Sequence, residues 1–112
     1  MKIAITASGN GWEEQVDERF GRARGFFVID TDAGTTSYID NDANADVAHG
    51  AGTSAASAVI NAGVEIVISG DVGPKAARVL EAGGVKIMTG VKDISIREAY
   101  DAYESGELKE IH

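Results

Sequence analysis

The chain has no cysteine, two histidines and one proline among its 112 residues. Without cysteine it cannot form disulfides, thiolate zinc sites, a cysteine nucleophile or ordinary cysteine-ligated iron–sulfur clusters. Two histidines are too few for a multi-histidine metal site within one chain. The sequence also shows no signal peptide and no apolar run long enough to span a membrane, so we expect a cytoplasmic protein that binds no membrane.

Positive charge is also scarce. Ten lysines and arginines stand against 18 aspartates and glutamates, which gives a formal net charge of −8. This acidic balance argues against non-specific binding of nucleic acid, which requires a broad basic surface. We therefore expect no nucleic-acid partner, although a small anion could still bind in a local pocket.

Length and composition are those of one globular domain. The chain is long enough to bury a single core, and its apolar fraction of 44% and charged fraction of 25% are ordinary. The 14 glycines favour close packing of helices on a sheet. We predict one domain over residues 1–112, in which roughly residues 107–112 form a flexible tail.

Hydrophobic patterning predicts an α/β fold with a mixed sheet. The expected strands cover 3–7, 26–30, 35–39, 64–69 and 85–88, of which the second and third form a hairpin. The expected helices cover 53–61, the stretch from Pro74 to the Gly83-Gly84 pair, and the stretch from Ser95 to Gly106. Ligands of such sheets bind where helix N-termini converge, so segments 6–11, 41–54 and 69–75 should meet there.

Three of the ten cations lie within six residues, as Arg19, Arg22 and Arg24. Forked guanidinium groups hold compact anions well, so this segment predicts an anion contact at one end of the sheet. The alternative is that the arginines pair with carboxylates close by in the sequence, since surface ion pairs are common and weak. The residues alone leave both interpretations open.

The segment from His49 to Ser54 is rich in glycine and opens a predicted helix. Its backbone N–H groups at Gly50 and Gly52, together with the helix dipole, favour an anion. The spacing also fits a dinucleotide fingerprint with Asp71 as the ribose partner, but the glycines do not directly follow a strand. His49 is a candidate anion donor, metal ligand or base, whereas a lone loop histidine is more often a plain surface residue.

The turn from Gly70 to Lys75 repeats this arrangement, with Lys75 in the first turn of the next helix. A cation at that place opposes the helix dipole, and a bound anion would remove the conflict. Alternatively, Lys75 points into water, where the cost is small.

Little in the sequence indicates catalysis. Several aspartates that could serve a metal-dependent hydrolase, among them Asp30, Asp32 and Asp42, occupy turn positions instead. There is no Ser-His-Asp order and no nucleophile elbow. Trp12 follows the first strand, either as a lid over a ligand or, more commonly, as a loop anchor. A hydrolase therefore stays open but has little support from these residues.

Three motifs follow one another along the chain. They are Val16-Asp17-x-Arg19-Phe20-Gly21-Arg22-Ala23, His49-Gly50-Ala51-Gly52 and Gly63-Val64-x-x-Val67-Ile68-x-Gly70-x-x-Gly73-Pro74-Lys75-Ala76. In this order they closely resemble the dinitrogenase iron–molybdenum cofactor biosynthesis family, whose members include nitrogenase cofactor carriers. The short, cysteine-free chain looks most like the orange protein branch of sulfate-reducing bacteria. The resemblance implies a ribonuclease H-like single domain with a five-stranded mixed sheet and helices on both faces.

The same resemblance implies a non-enzymatic role in binding, storing or transferring a molybdenum-containing metal–sulfide cluster that is held non-covalently. The branch implies a molybdenum–copper sulfide cluster, and the wider family implies an iron–molybdenum cofactor or another iron–sulfur-type cluster. A protein partner would supply or receive it. At the motif positions, the resemblance implies that the cluster contacts are Arg19, Arg22, His49, Gly50, Gly52 and Lys75. It implies His49 as the metal ligand as well.

Two other functions stay open at this stage. A nucleotide- or small-anion-binding enzyme or regulatory module would use the same glycine-rich turns. A scaffold with internally paired arginines would bind no ligand. Colour distinguishes a cluster-binding protein from a nucleotide-binding one, because a metal–sulfide cluster absorbs visible light and a nucleotide does not.

Overall fold

The computed structural model describes residues 1–45 and 50–111. The strands are β1 (Lys2–Ala7), β2 (Gly25–Asp30), β3 (Thr35–Asp40), β4 (Ile66–Ile68), β5 (Lys86–Thr89) and β6 (Lys109–Ile111). They form a central mixed sheet with the order β3-β2-β1-β4-β5-β6. Strands β1, β4 and β5 are parallel to one another, and the other neighbours are antiparallel. The helices are α1 (Asp42–Ala45), α2 (Ala51–Asn61), α3 (Pro74–Ala82) and α4 (Ile96–Glu104).

Helices cover both faces of the sheet, as predicted. Side chains alternate along β1, so that Ala4 joins one core cluster while Ile3 and Ile5 join the other. The first cluster contains Val59 of α2 and buried side chains of α3. The second contains Ile96 and a neighbouring alanine of α4. The packing therefore places α2 and α3 side by side on one face, and this arrangement positions the site described below.

The prediction of a five-stranded sheet is wrong, because the sheet built from residues 1–45 and 50–111 has six strands. Residues 109–111, expected to belong to a flexible tail, form β6 and pair with β5, with Ile111 opposite Ile87. Ile111 is half-buried and packs against the first core cluster. The segment is short and bears charges at Lys109 and Glu110, so it has no strand-like alternation long enough to recognise. The ribonuclease H-like assignment stays a prediction.

Most element boundaries follow from local chemistry that the sequence displays. The predicted capping box forms at α4, where the Ser95 hydroxyl accepts from the Glu98 N–H and the Glu98 carboxylate accepts from the Ser95 N–H, both at 3.1 Å. The hairpin turn between β2 and β3 also forms. There the N–H groups of Ala33 and Asp32 donate to the Asp30 carboxylate and hold its pKa below the ordinary value.

Two elements differ from the predictions by two residues at one end. Helix α2 begins at Ala51, two residues earlier than expected, and β4 is confined to Ile66–Ile68 within the predicted 64–69. Within the described ranges, no helix combines the length and the apolar character needed to cross a membrane.

Candidate anion-binding cleft

An open cleft of about 430 Å³ lies where α2 and α3 begin, on the face of the sheet that these two helices cover. Its wall comes from the two helix starts and from one loop that precedes β2. The described lining residues are Gly21, Gly50, Gly52, Thr53, Gly73, Pro74, Lys75, Ala76 and Arg78. The cleft therefore contains three of the predicted site residues: Gly50, Gly52 and Lys75.

Both helices that open into the cleft have glycine at the N-cap. Gly50 has a left-handed backbone with φ of 79°, which glycine adopts without strain, and Gly73 is extended. Neither N-cap provides a side-chain acceptor for the first-turn N–H groups. The positive ends of two helix dipoles therefore meet at this cleft without a capping oxygen from those positions, which is the arrangement that favours an anion.

Two cationic side chains add to this field. Lys75 lies in the first turn of α3 and Arg78 lies three residues further, so both occupy the same side of the helix. Within residues 1–45 and 50–111, neither side chain forms an ion pair, and the described lining residues include no carboxylate. The cleft is thus locally positive in a chain whose formal net charge is −8.

Close backbone packing holds the cleft together. A Cβ atom on Gly21 would lie 2.7 Å from both the Cα and the N of Gly52, and a Cβ on Gly52 would lie 3.2 Å from the Cβ of Ala76. The loop, α2 and α3 therefore approach one another through positions where a larger residue would force them apart. Gly73 differs, since a Cβ there would meet nothing within 4 Å and would project into open space.

The arginine-bearing loop is fixed to the body of the protein by its backbone and by one aromatic side chain. Phe20 is 2% exposed, and its ring lies 5.2 Å from that of Phe26, centroid to centroid. The Phe20 N–H donates to the carbonyl of Asp71, and the Asp71 N–H donates to the carbonyl of Glu18 at 2.7 Å. These contacts hold the loop against the end of β4.

A buried asparagine holds the other end of the same loop. Asn41 is 1% exposed, and its side-chain amide donates to the carbonyls of Gly21 and Ala23, at 3.2 and 2.9 Å. Its backbone N–H donates to the carbonyl of Arg24 at 2.8 Å. The residue that follows β3 therefore turns two loop carbonyls towards the core.

The three arginines of this loop are exposed, and none is among the described residues that line the cleft. The Arg19 side chain is 68% exposed and its Nε lies 3.7 Å from the Asp17 carboxylate. The Arg24 guanidinium lies 3.8 Å from Asp42. Arg19 therefore has a carboxylate neighbour of the kind that the pairing interpretation expects, but the contact is loose and leaves the side chain in water. The prediction placed these arginines correctly at one end of the sheet.

One expectation about the site is wrong, and a second concerns a residue that lies outside the described ranges. Segment 6–11 does not line the cleft, because Thr6 is buried and Ser8 turns back to bond with Gln15; the loop carrying Gly21 takes its place. His49 falls in the range 46–49, outside the described residues.

Arg78 is a cleft residue that sequence reasoning missed. Its three-residue spacing from Lys75 was the available signal, because that spacing puts both side chains on one face of a helix.

The glycines of the dinucleotide fingerprint do not directly follow a strand, as that fingerprint requires. Strand β3 ends at Asp40, ten residues before Gly50, and the short helix α1 intervenes. Asp71 lines a different recess, together with Glu18 and Lys92, and not the cleft. Nothing in this geometry favours a ribose partner for the glycines of α2.

Trp12 is a loop anchor rather than a lid. Its ring makes an edge contact with Phe27 at 5.0 Å and a tilted contact with Tyr100 at 5.6 Å, and the Arg97 guanidinium lies 5.2 Å above it. Phe27 and Tyr100 belong to the second core cluster, on the opposite face from the cleft. In the part of the chain that the structure describes, no group of three or more His, Asp or Glu side chains could hold a metal ion.

Fold and cleft together define a small α/β domain with a locally positive cleft between two helix starts. The model of the dinitrogenase iron–molybdenum cofactor family matches residues 1–106, and the chain belongs to that family. An uncharacterised protein of Methanocaldococcus jannaschii is 30% identical over 112 residues, covering 97% of this chain and 90% of that protein.

Two solved structures are similar over nearly the whole chain. The apo form of the orange protein from Desulfovibrio gigas has a TM-score of 0.94 and 37% identity, covering 98% of this chain and 92% of that one. A putative NifB protein from Thermotoga, solved by NMR, has a TM-score of 0.86 and 33% identity, covering 97% and 91%. These similarities support the family and the orange protein branch that the motifs indicated.

Proposed function

We propose that this protein binds a compact, molybdenum-containing metal–sulfide cluster as cargo and carries it without catalysing a reaction. The observation that carries the proposal is the cleft itself, in which two glycine-capped helix N-termini converge with Lys75 and Arg78. Such a cluster is a polyanion that already contains its sulfides. It therefore needs donors and positive charge from the protein and does not need cysteine.

The family supports this choice of cargo. The family description names a dinitrogenase iron–molybdenum cofactor, and one similar structure is an orange protein in its apo form. We propose a molybdenum–copper sulfide cluster as the specific cargo, with an iron–molybdenum cofactor or another iron–sulfur-type cluster as the alternative. A protein partner that supplies or receives the cluster belongs to the same proposal.

The residues in the cleft fit such a cargo. Lys75 and Arg78 supply charge, while the backbone at Gly50 and Gly52 lets the cargo approach the first-turn N–H groups of α2. Arg19 and Arg22 are proposed as additional contacts from the adjoining loop, since Gly21 between them lines the cleft. His49, from the same motif as Gly50, is proposed as a contact and metal ligand.

Reconstitution tests the proposal. The pure apo-protein is incubated anaerobically with tetrathiomolybdate, with and without copper, then desalted and examined by visible spectroscopy and metal analysis. We expect a coloured protein that retains molybdenum in a fixed ratio to the chain.

A substitution at Gly73 shows whether the cargo occupies the cleft. Gly73→Leu should abolish retention, because Gly73 lines the cleft, a Cβ there meets no atom within 4 Å, and its backbone, with φ of −62°, accepts any L-residue. Ala82→Leu is the matched control, since Ala82 is exposed at the far end of the same helix and does not line the cleft. A wild-type protein that stays colourless, or a Gly73→Leu variant that binds as well as wild type, contradicts the proposal.

A further inference from the structure

We propose that the cleft selects sulfide-coated anions over oxyanions of the same charge and shape, and that Pro74 sets this selectivity. The inference rests on the proposed binding function of the cleft and adds the residue that makes the cleft discriminate against oxyanions. It concerns a residue whose role as a helix starter would otherwise explain its presence completely.

The wall of the cleft is mostly carbon. Six of the nine described lining residues are glycine, alanine or proline and have no polar side-chain atom. The charge comes from Lys75 and Arg78, whose long side chains are both exposed. An anion in this cleft is therefore attracted by charge at its edge while much of its own surface rests against CH and CH₂ groups.

Pro74 removes one of the donors that a helix N-terminus normally offers. It occupies the first position of α3, where it has no N–H, and its ring lines the cleft. The N–H of Ala77 is already bonded to the carbonyl of Gly73, at 2.9 Å. Helix α3 can thus present only the N–H groups of Gly73, Lys75 and Ala76, whereas a helix without proline would present four.

Oxyanions and sulfide-coated anions respond differently to such a wall. Oxygen atoms carry concentrated charge and lose strong hydrogen bonds to water, so each one that faces carbon is left without a donor at a cost. Sulfur is larger, more polarisable and a weak acceptor, so it loses less on leaving water and gains dispersion contacts with the carbon wall. The same cleft therefore penalises an oxyanion more than its sulfur counterpart.

Molybdate and tetrathiomolybdate are suitable probes, because both are tetrahedral dianions that differ only in oxygen and sulfur. Dissociation constants for both are measured anaerobically on the wild-type protein by titration calorimetry. We expect tetrathiomolybdate to bind at least about tenfold more tightly than molybdate. This factor corresponds to the free-energy cost of leaving one oxygen without a hydrogen-bond donor.

Two variants of Pro74 distinguish the effect of its ring from the effect of its missing N–H. Pro74→Ala restores the N–H and removes most of the apolar surface, and we expect the selectivity ratio to fall about threefold or more through tighter molybdate binding. Pro74→Val restores the N–H but keeps apolar volume, and we expect a smaller fall. Circular dichroism checks that α3 remains folded, since either residue can occupy the first helical position.

The outcomes are distinguishable. If wild type binds both anions equally well, the selectivity inference is wrong while anion binding in the cleft stands. If the ratio is large but neither variant changes it, the role assigned to Pro74 is wrong. If neither anion binds, the inference and the proposed function fail together.

Discussion

Two cationic regions flank the cleft, and they differ in what their charges do. The loop with Arg19, Arg22 and Arg24 is conspicuous in the sequence because three cations fall within six residues. In the structure Arg19 and Arg24 lie in water near carboxylates, with side chains 68% and 71% exposed. Lys75 and Arg78 are ordinary residues of a helix, yet they line the cleft beside two helix N-termini.

The difference shows that density of charge along a sequence is not density of charge in space. An exposed cation next to a carboxylate contributes little, because water screens it and the neighbour cancels its field. A cation that lies beside the N-termini of two helices, at a carbon-lined wall, adds to a local potential that the helix dipoles have already made positive. The loop nevertheless matters for the site, since its backbone at Gly21 packs directly on α2.

The largest effect is expected from a change in the loop backbone. In Gly21→Ala the new Cβ would collide with backbone atoms of Gly52 at 2.7 Å, so α2 must shift, at a cost of about 1–3 kcal/mol in the free energy of unfolding. Gly73→Ala is the control, since its Cβ meets nothing within 4 Å, and we expect a change within about 0.5 kcal/mol. Urea unfolding of both variants measures the difference. Equal stabilities would mean that the loop does not pack on α2 as described.

The second prediction compares the two cationic regions directly. Lys75→Gln with Arg78→Gln should weaken retention of a thiomolybdate cluster at least about tenfold, which allows about 0.7 kcal/mol for each exposed cation. Arg19→Gln with Arg22→Gln removes the same number of charges and should weaken retention less, because those side chains reach the cargo only from the rim. Metal analysis after desalting measures both. A larger loss in the loop variant would reverse the assignment.

Much of the fold could be predicted because local chemistry decides it. The capping box at Ser95, the turn at Asp30 and the apolar run of β4 each depend on residues within a few positions. Strand β6 could not be recognised, because three mostly polar residues become a strand only when β5 offers its edge. Its formation is decided by tertiary pairing, which overrides local propensity.

The site was only partly predictable for a related reason. Gly50, Gly52 and Lys75 belong to helix starts, which local patterns reveal, and all three line the cleft. The place of Gly21 depends on a contact with Gly52, across more than 30 positions of the chain, and no local pattern encodes that contact. The spacing of Arg78 from Lys75 puts both residues on one side of α3, but that this side borders the cleft follows from packing.

The third prediction concerns ionic strength and sharpens the distinction between charge and ligation. If charge holds the cargo in the cleft, raising salt from about 0.1 M to about 1 M shortens the Debye length from about 10 Å to about 3 Å and should weaken retention severalfold. The Lys75→Gln, Arg78→Gln variant should show a shallower salt dependence than wild type. Molybdenum retained after desalting at each salt concentration provides the measurement. Retention that is unchanged in high salt would instead indicate direct ligation, with His49 as the first residue to substitute.

The smallest effect is expected at Arg24. Its guanidinium lies 3.8 Å from the Asp42 carboxylate, and the two side chains are 71% and 57% exposed, so the pair is open to water and screening. Arg24→Gln should therefore change the free energy of unfolding by at most about 0.5 kcal/mol and leave cluster retention unchanged. Urea unfolding and metal analysis on the same preparation check both quantities. A loss of retention as large as that of the Lys75→Gln, Arg78→Gln variant would show that the loop arginines act as one cationic surface, and the contrast between the two regions would then disappear.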